Sequence, residues 1–434
     1  MRRRKNIAVV VLGMLIAMLL SASMAEALTK VAFLGRSNQN LMKPIREIVG
    51  RFNQANAGQV QVDILEASAG SQVLEQLGVL RLSGDSPDIV FTAVETLDMI
   101  MNGMIVPVDP FVAKDPKWLD DFFPDVVDTL RLRGKLWGVP IGFSMSWGIL
   151  YNQSLLDSAA LPTPPEGWNW DDFVALGKKL THDTDGDGTP EIWGAGSHDN
   201  NVWWDGWLLQ NRSTFFDWDR SEWLPEPTRA VEALEFHASL IRDHRIAPRQ
   251  NPLAIMQQGK VGLFAIQAPD IPFTLRAGIG LERDLRGTHL PVQGSRKMQA
   301  KSWSLFLANT GDAKRTAAAW EFMKFALEPD NLLTYSESAG HAPPRRSIIA
   351  SRQYMNELRQ TGRGPQIDFW YPELAAYGMG TVFPPARGDF LRLSLSELNR
   401  VLDAQIPARS AIHEIKRIMD PITTKLLEIL NQIQ

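Results

Sequence analysis

The chain has 434 residues, 44% hydrophobic and 22% charged, with no cysteine and a formal net charge of −4. This length suggests two or three domains with full cores, and this composition excludes disordered, collagen-like and disulfide-stapled chains. Zero cysteine removes thiolate-held clusters, zinc ribbons and thiol catalysis. The lack of any Lys/Arg block after residue 5 argues against a nucleic-acid partner.

The N-terminus reads as an address. Arg2, Arg3, Arg4 and Lys5 precede a 14-residue apolar run from Ile7 to Leu20, and small residues follow up to Ala27. This is the pattern of a signal peptide cleaved after Ala27. The run is shorter than the ~20 apolar residues of a membrane span, so no stable membrane anchor is expected. Cleavage leaves 407 residues with a net charge of −7, and no later stretch of 18 apolar residues occurs.

Lys30 to Gly35 predicts a strand. Leu41, Ile45, Ile48, Val49 and Phe52 recur at helical spacing, and Val60, Val62 and Ile64 alternate as a second strand. Val73, Leu74, Leu77 and Leu80 form a further helix, and Asp88 to Thr92 a third, buried strand. Strand–helix–strand–helix–strand implies right-handed crossovers and a parallel sheet. Ligands of such sheets sit beyond the carboxyl ends of the strands, here Gly35–Asn40, Ala67–Ser71 and Thr92–Glu95. Neither GxGxxG nor GxxxxGK[ST] follows these strands, so nucleotide binding loses its main support. Ser37 and Asn38 are suited to neutral hydroxyls and equally to helix capping.

Eleven of the 14 tryptophans lie between Trp118 and Trp223. Trp203, Trp204 and Trp207 stand on a helix with Asn200, Asn201 and Asp205 as polar neighbours, a set that can stack on a sugar ring and bond its hydroxyls. Burial in a core is the other role, and most tryptophans of the set are expected to take it. Asp183-Thr-Asp-Gly-Asp-Gly188 places oxygens at alternate positions like a calcium loop, with Asp185, Asp187 and Glu191. The twelfth position is Gly194, not Glu, so a solvated acidic turn is the alternative to a structural calcium site. No cofactor is otherwise expected.

Val231 to Ile241 continues as helix, Lys260–Gln267 and Ser302–Leu307 as strands, and Ala317–Ala326 as an apolar helix. Leu391–Ala404 and Ile412–Leu430 read as C-terminal helices.

Four segments, in order, resemble the extracellular sugar-binding proteins of ATP-binding-cassette importers, the maltose-binding-protein type. They are Phe52–Asn56 with Val60–Val62; Gly134–Pro140 with Ile149–Asn152; Pro165–Asp171 with Leu176 and Lys179-Leu180; and Gln258–Gly262 with the Ser302 strand, the Ala317 helix and Ser338–Pro343. The resemblance implies an α/β, two-lobed periplasmic-binding-protein fold (type II), each lobe a mostly parallel sheet flanked by helices. Lobe 1 would hold residues 28–140 and 295–340, and lobe 2 residues 148–290 and 345–434. The crossings would fall near 141–147, 291–294 and 341–344. It implies a monomeric periplasmic protein without catalysis, which closes on a sugar or polyol and presents it to the importer's membrane subunits.

Carried over by position, the ligand contacts would be Ser37, Asn38, Ser68 and Glu95 from lobe 1, and Phe143 and Trp147 from the crossing. Trp204, Trp207 and Asp270 would come from lobe 2, with Trp303 as an aromatic under the sugar and Arg387 as a further contact. Gln267-Ala-Pro-Asp270 replaces the family's Pro-Trp pair. That departure points away from maltodextrin, toward hydroxyl-directed recognition or an amine-bearing ligand. The alternatives are a binder of polyamine or glycerophosphodiester and, with paired carboxylates, a secreted glycoside hydrolase.

Overall fold

The computed structural model describes residues 28–67, 73–93, 95–145, 148–197, 200–218, 220–266, 284–358, 378–379 and 387–432. The expected signal peptide, residues 1–27, lies outside them.

In chain order the first lobe begins β1 (Thr29–Arg36), α1 (Gln39–Ala55), β2 (Val60–Ala67), α2 (Val73–Ser83), β3 (Ile89–Thr92) and α3 (Thr96–Met101). β4 (Val139–Met145) then leads into β5 (Gly148–Asn152), α4 (Trp170–Leu180), β6 (Trp193–Ser197), α5 (Asn200–Gln210) and α6 (Pro227–Arg242). β7 (Val261–Ile266) and β8 (Leu285–Thr288) complete the second sheet. The chain returns through β9 (Met298–Ala308), α7 (Ala313–Ala326) and α8 (Pro329–Ala339), and ends with α9 (Arg387–Leu402) and α10 (Ala408–Gln432).

β1 pairs in parallel with β2 and β3, in register Leu34↔Leu65 and Leu34↔Val90. All four residues of β3 are buried, as a central strand covered on both faces requires. β9 returns antiparallel beside β3 (Ser304↔Thr92) and β4 (Trp303↔Gly142). The second sheet is mixed where a mostly parallel one was expected. β7 is parallel to β6, but β5 is antiparallel to both β7 and β8. β5 enters directly from β4, so the crossing sets its direction and no helical crossover is interposed.

Local chemistry explains the helix starts. Asn38 caps α1, its side chain accepting from the amides of Asn40 (3.0 Å) and Leu41 (3.4 Å). Pro44 cannot donate to the Asn40 carbonyl, and Ser338 Oγ donates to it instead at 3.3 Å. A capping box between Asn169 and Asp172 opens α4.

Two of the expected crossing segments keep hydrogen bonds to a lobe. Residues 290–295 still rest on lobe 2, with the Val292 amide on Trp168 O (2.8 Å) and Arg212 Nε on Gly294 O (2.8 Å). Residues 344–347 still rest on lobe 1, with the Phe123 amide on Pro344 O (3.0 Å) and the Ser347 amide on Asp121 Oδ1 (2.9 Å). The carboxylate of Asp121 also pairs with Arg345 (3.5 Å), whose guanidinium lies 4.6 Å above the Phe122 ring.

Candidate functional site

The parallel run of β1, β2 and β3 carries Arg36, Ala67 and Thr92 to one edge of the lobe 1 sheet. Beyond β3 the chain turns into α3, whose N-cap is Glu95. Glu95 is 7% exposed, and the Thr92 hydroxyl donates to its carboxylate. Burial pushes this carboxyl above its ordinary range, against the pull of the Thr92 hydroxyl, the Leu74 amide and Arg36. One turn on, Asp98 is raised from 3.8 to about 6, first by burial, then by the charges of Glu95 and Asp389. Asp389 lies in the first turn of α9, which packs on α5, α6 and α10 of lobe 2. The charge of Asp389 therefore reaches a carboxyl group of lobe 1.

Trp303 stands beside this edge on β9, partly buried. Its ring lies 5.3 Å from Phe91 and 5.6 Å from His341. Ser302 and Ser304 on the same strand form a buried hydroxyl chain with Thr129 (2.7 and 3.1 Å).

The expected contacts separate into groups. Glu95 follows the carboxyl end of β3, and Trp303 lies beside that end on β9. Ser37 is exposed, and Asn38 is committed to the α1 cap, so its amide oxygen is occupied by backbone donors. Ser68, Trp147 and Asp270 lie outside the described residues. Arg387 opens α9.

Three aromatic expectations are corrected. Phe143 is 2% exposed and packs on Phe123 at 5.5 Å, while its backbone pairs with Ala342. Trp207 is fully buried, edge-on to Phe236 (4.9 Å), Phe173 (5.3 Å) and Trp170 (5.7 Å). Trp204 is 2% exposed between Phe215 and Phe390. At this burial none of the three presents an open face.

The Asp183 loop brings ligand oxygens of Asp183, Asp185 and Asp187 within 4.8 Å of one another, all exposed. Asp183 accepts from the amides of Gly186 (2.8 Å) and Gly188 (2.9 Å), and Glu191 from that of Thr184 (2.7 Å). That amide holds the Glu191 carboxyl below its ordinary range. The twelfth position can carry no side chain: a Cβ on Gly194 would stand 1.9 Å from Gly177 O, where β6 packs on α4. A calcium loop's bidentate twelfth ligand is absent from the sequence, and the contact with Gly177 leaves that position no room for one.

Asp98, Asp389, Tyr335 and His341 were missed by the sequence reading. Asp98 alone left a signal, three residues after Glu95 and hence on the same helix face.

A family model described as bacterial extracellular solute-binding protein matches residues 36–332. Among curated proteins no relative matches. Similar solved structures include the cyclic α-maltosyl-1,6-maltose binding protein of Arthrobacter globiformis. It is 18% identical with a TM-score of 0.75, over 92% of this chain and 99% of that one. An ABC substrate-binding protein of Listeria monocytogenes in complex with cycloalternan is 18% identical with a TM-score of 0.74, over 90% and 97%. UgpB of Mycobacterium tuberculosis in complex with glycerophosphocholine is 17% identical with a TM-score of 0.73, over 93% and 98%. At these identities the likeness is one of fold.

Proposed function

The chain belongs to the bacterial extracellular solute-binding proteins, and on that premise we propose that its interlobe cleft binds an oligosaccharide or related polyol. The ligand is passed chemically unchanged to the membrane subunits of an ATP-binding-cassette importer. The protein acts as a monomer in the periplasm after cleavage at Ala27. Closure follows from differential affinity: the closed form contacts the ligand from both lobes, the open form from one.

One observation carries this reading. A partly open indole, Trp303, adjoins the carboxyl end of β3, where Glu95 and Thr92 supply buried polar groups. The indole face suits the C–H face of a sugar, and a carboxyl group suits its hydroxyls.

A second reading, an amine-bearing ligand, is favoured by Glu95 and Asp98, neighbouring carboxyl groups one turn apart on α3. The same carboxyl groups would repel a phosphodiester.

A thermal-shift screen tests both. Maltotriose, a cyclic tetrasaccharide, ribitol, spermidine and glycerophosphocholine are each added to the protein, and a specific binder raises Tm by mass action. A rise with a saccharide or polyol alone supports the first reading, and one with spermidine alone the second. A rise with glycerophosphocholine alone refutes both.

A further inference from the structure

Tyr335, His341 and Trp303 form a file of three rings at the base of the cleft. Tyr335 is fully buried and His341 is 3% exposed. The Tyr335 hydroxyl and His341 Nδ1 share a hydrogen bond of 3.0 Å. The two rings stack at 5.7 Å with 21° between their planes, and His341 lies at 33° to Trp303. Phe91 touches both ends of the file, 6.0 Å from Tyr335 and 5.3 Å from Trp303.

The sheet register makes room for this file. Trp303 pairs with Gly142, so both residues address the same face of the sheet, and only one of them has a side chain. A Cβ on Gly142 would stand 2.7 Å from Tyr335 Cε1 and 2.9 Å from His341 Cβ. The volume forfeited at position 142 is filled by the imidazole and the phenol. The residue after His341 is Ala342, which exchanges both backbone hydrogen bonds with Phe143 (2.8 and 2.9 Å). The imidazole is thus anchored through its own backbone to the crossing strand, and through Nδ1 to α8.

Ring contacts alone tolerate a 180° flip of the imidazole about its Cβ–Cγ bond, which keeps the ring plane but exchanges Nδ1 for Cδ2. The hydrogen bond to Tyr335 removes that freedom. We infer that His341 is a positioning residue: locked by the Tyr335 hydroxyl, it sets the angle of the Trp303 indole at the cleft. Its effect on ligand affinity rests on the reading of Trp303 as the aromatic floor of the ligand site, whereas its effect on the indole does not.

The test uses the protein labelled with 5-fluorotryptophan, the Trp303 fluorine resonance being assigned by its loss in Trp303→Phe. Tyr335→Phe and His341→Phe keep the rings and remove the hydrogen bond. Both variants are expected to shift or split the Trp303 resonance while the resonances of the lobe 2 tryptophans hold. His341→Asn, whose side-chain amide reaches the Nδ1 position, is expected to restore part of the shift. For whichever saccharide or polyol of the panel raises Tm, Kd is expected to rise roughly 3- to 10-fold in Tyr335→Phe. A space-filling imidazole would leave the Trp303 resonance unmoved in both phenylalanine variants, and that result overturns the inference. Should the resonance move in the variants while no saccharide or polyol of the panel moves it in the wild type, the positioning role stands and the floor reading of Trp303 fails.

Discussion

Asp98 in the first turn of α3 on lobe 1 feels the charge of Asp389 in the first turn of α9, a helix that packs on α5, α6 and α10. With Glu95 beside it, Asp98 is raised from 3.8 to about 6, burial being the largest cause. Asp389 is partly neutralised by Arg392 on its own helix. No such partner offsets Asp98 among the causes of its shift.

A carboxyl whose pKa is raised on folding opposes stability when ionised. The penalty is absent below about pH 4, grows as pH rises toward 6, and is complete above that. A displacement from 3.8 to about 6 sets its ceiling at ~3 kcal/mol, and partial solvent access reduces it. Asp98→Asn should therefore stabilise the protein by about 1–2 kcal/mol at pH 7 and leave it unchanged at pH 4. Urea denaturation at the two pH values measures the difference, and equal stabilisation at both would contradict the assignment.

Trp303 and Trp207 should separate cleanly on substitution. Trp207→Ala empties a site enclosed by Phe236, Phe173 and Trp170, and is expected to cost ~3–5 kcal/mol of stability. Trp303→Ala is expected to weaken saccharide binding by ~1–3 kcal/mol with a smaller loss of stability. Chemical denaturation and calorimetric titration on both variants give the comparison, and a reversed pattern would move the ligand to lobe 2.

Two glycines predict opposite outcomes. Gly194→Ala drives a methyl group into the Gly177 carbonyl and should destabilise by about 3 kcal/mol or more, through separation of β6 from α4. Gly50 is exposed within α1 with nothing within 4 Å of a built Cβ. Gly50→Ala should gain ~0.5–1 kcal/mol from helix propensity. Both are read from denaturation midpoints.

Asp88 ties three elements of lobe 1 together. Its side chain is fully buried, and Oδ2 accepts from the Ala32 amide and from Arg315 of α7, each at 2.8 Å. Removing one partner leaves the other charge inadequately solvated. Asp88→Ala should cost about 3 kcal/mol, and Arg315→Ala a smaller amount because its guanidinium is a third exposed. Melting temperatures of the two variants test the order.

Much of lobe 1 was legible in the sequence. The alternation of Val60, Val62 and Ile64 and the helical spacing from Leu41 to Phe52 place their elements within a few residues, because each depends on neighbours close in the chain. The Asn38 cap follows from the same local chemistry. Trp204 and Trp207 show the limit: periodicity puts them on a helix, but an indole that stacks on a sugar and one that fills a core have the same spacing. Only Phe236 and Phe390, supplied by other helices, decide that both rings are covered.

By itself the sequence determined the order of strands and helices in lobe 1 and the family resemblance, both properties of short stretches or of their succession. Tertiary structure alone decided that the charge of Asp389 reaches Asp98, that Gly142 yields its volume to Tyr335 and His341, and that Gly194 packs on the Gly177 carbonyl. The reason is physical. Those relations join segments that only the packing of sheets and helices brings within a few ångströms, and neither residue of such a pair leaves a trace of the other in its own local pattern.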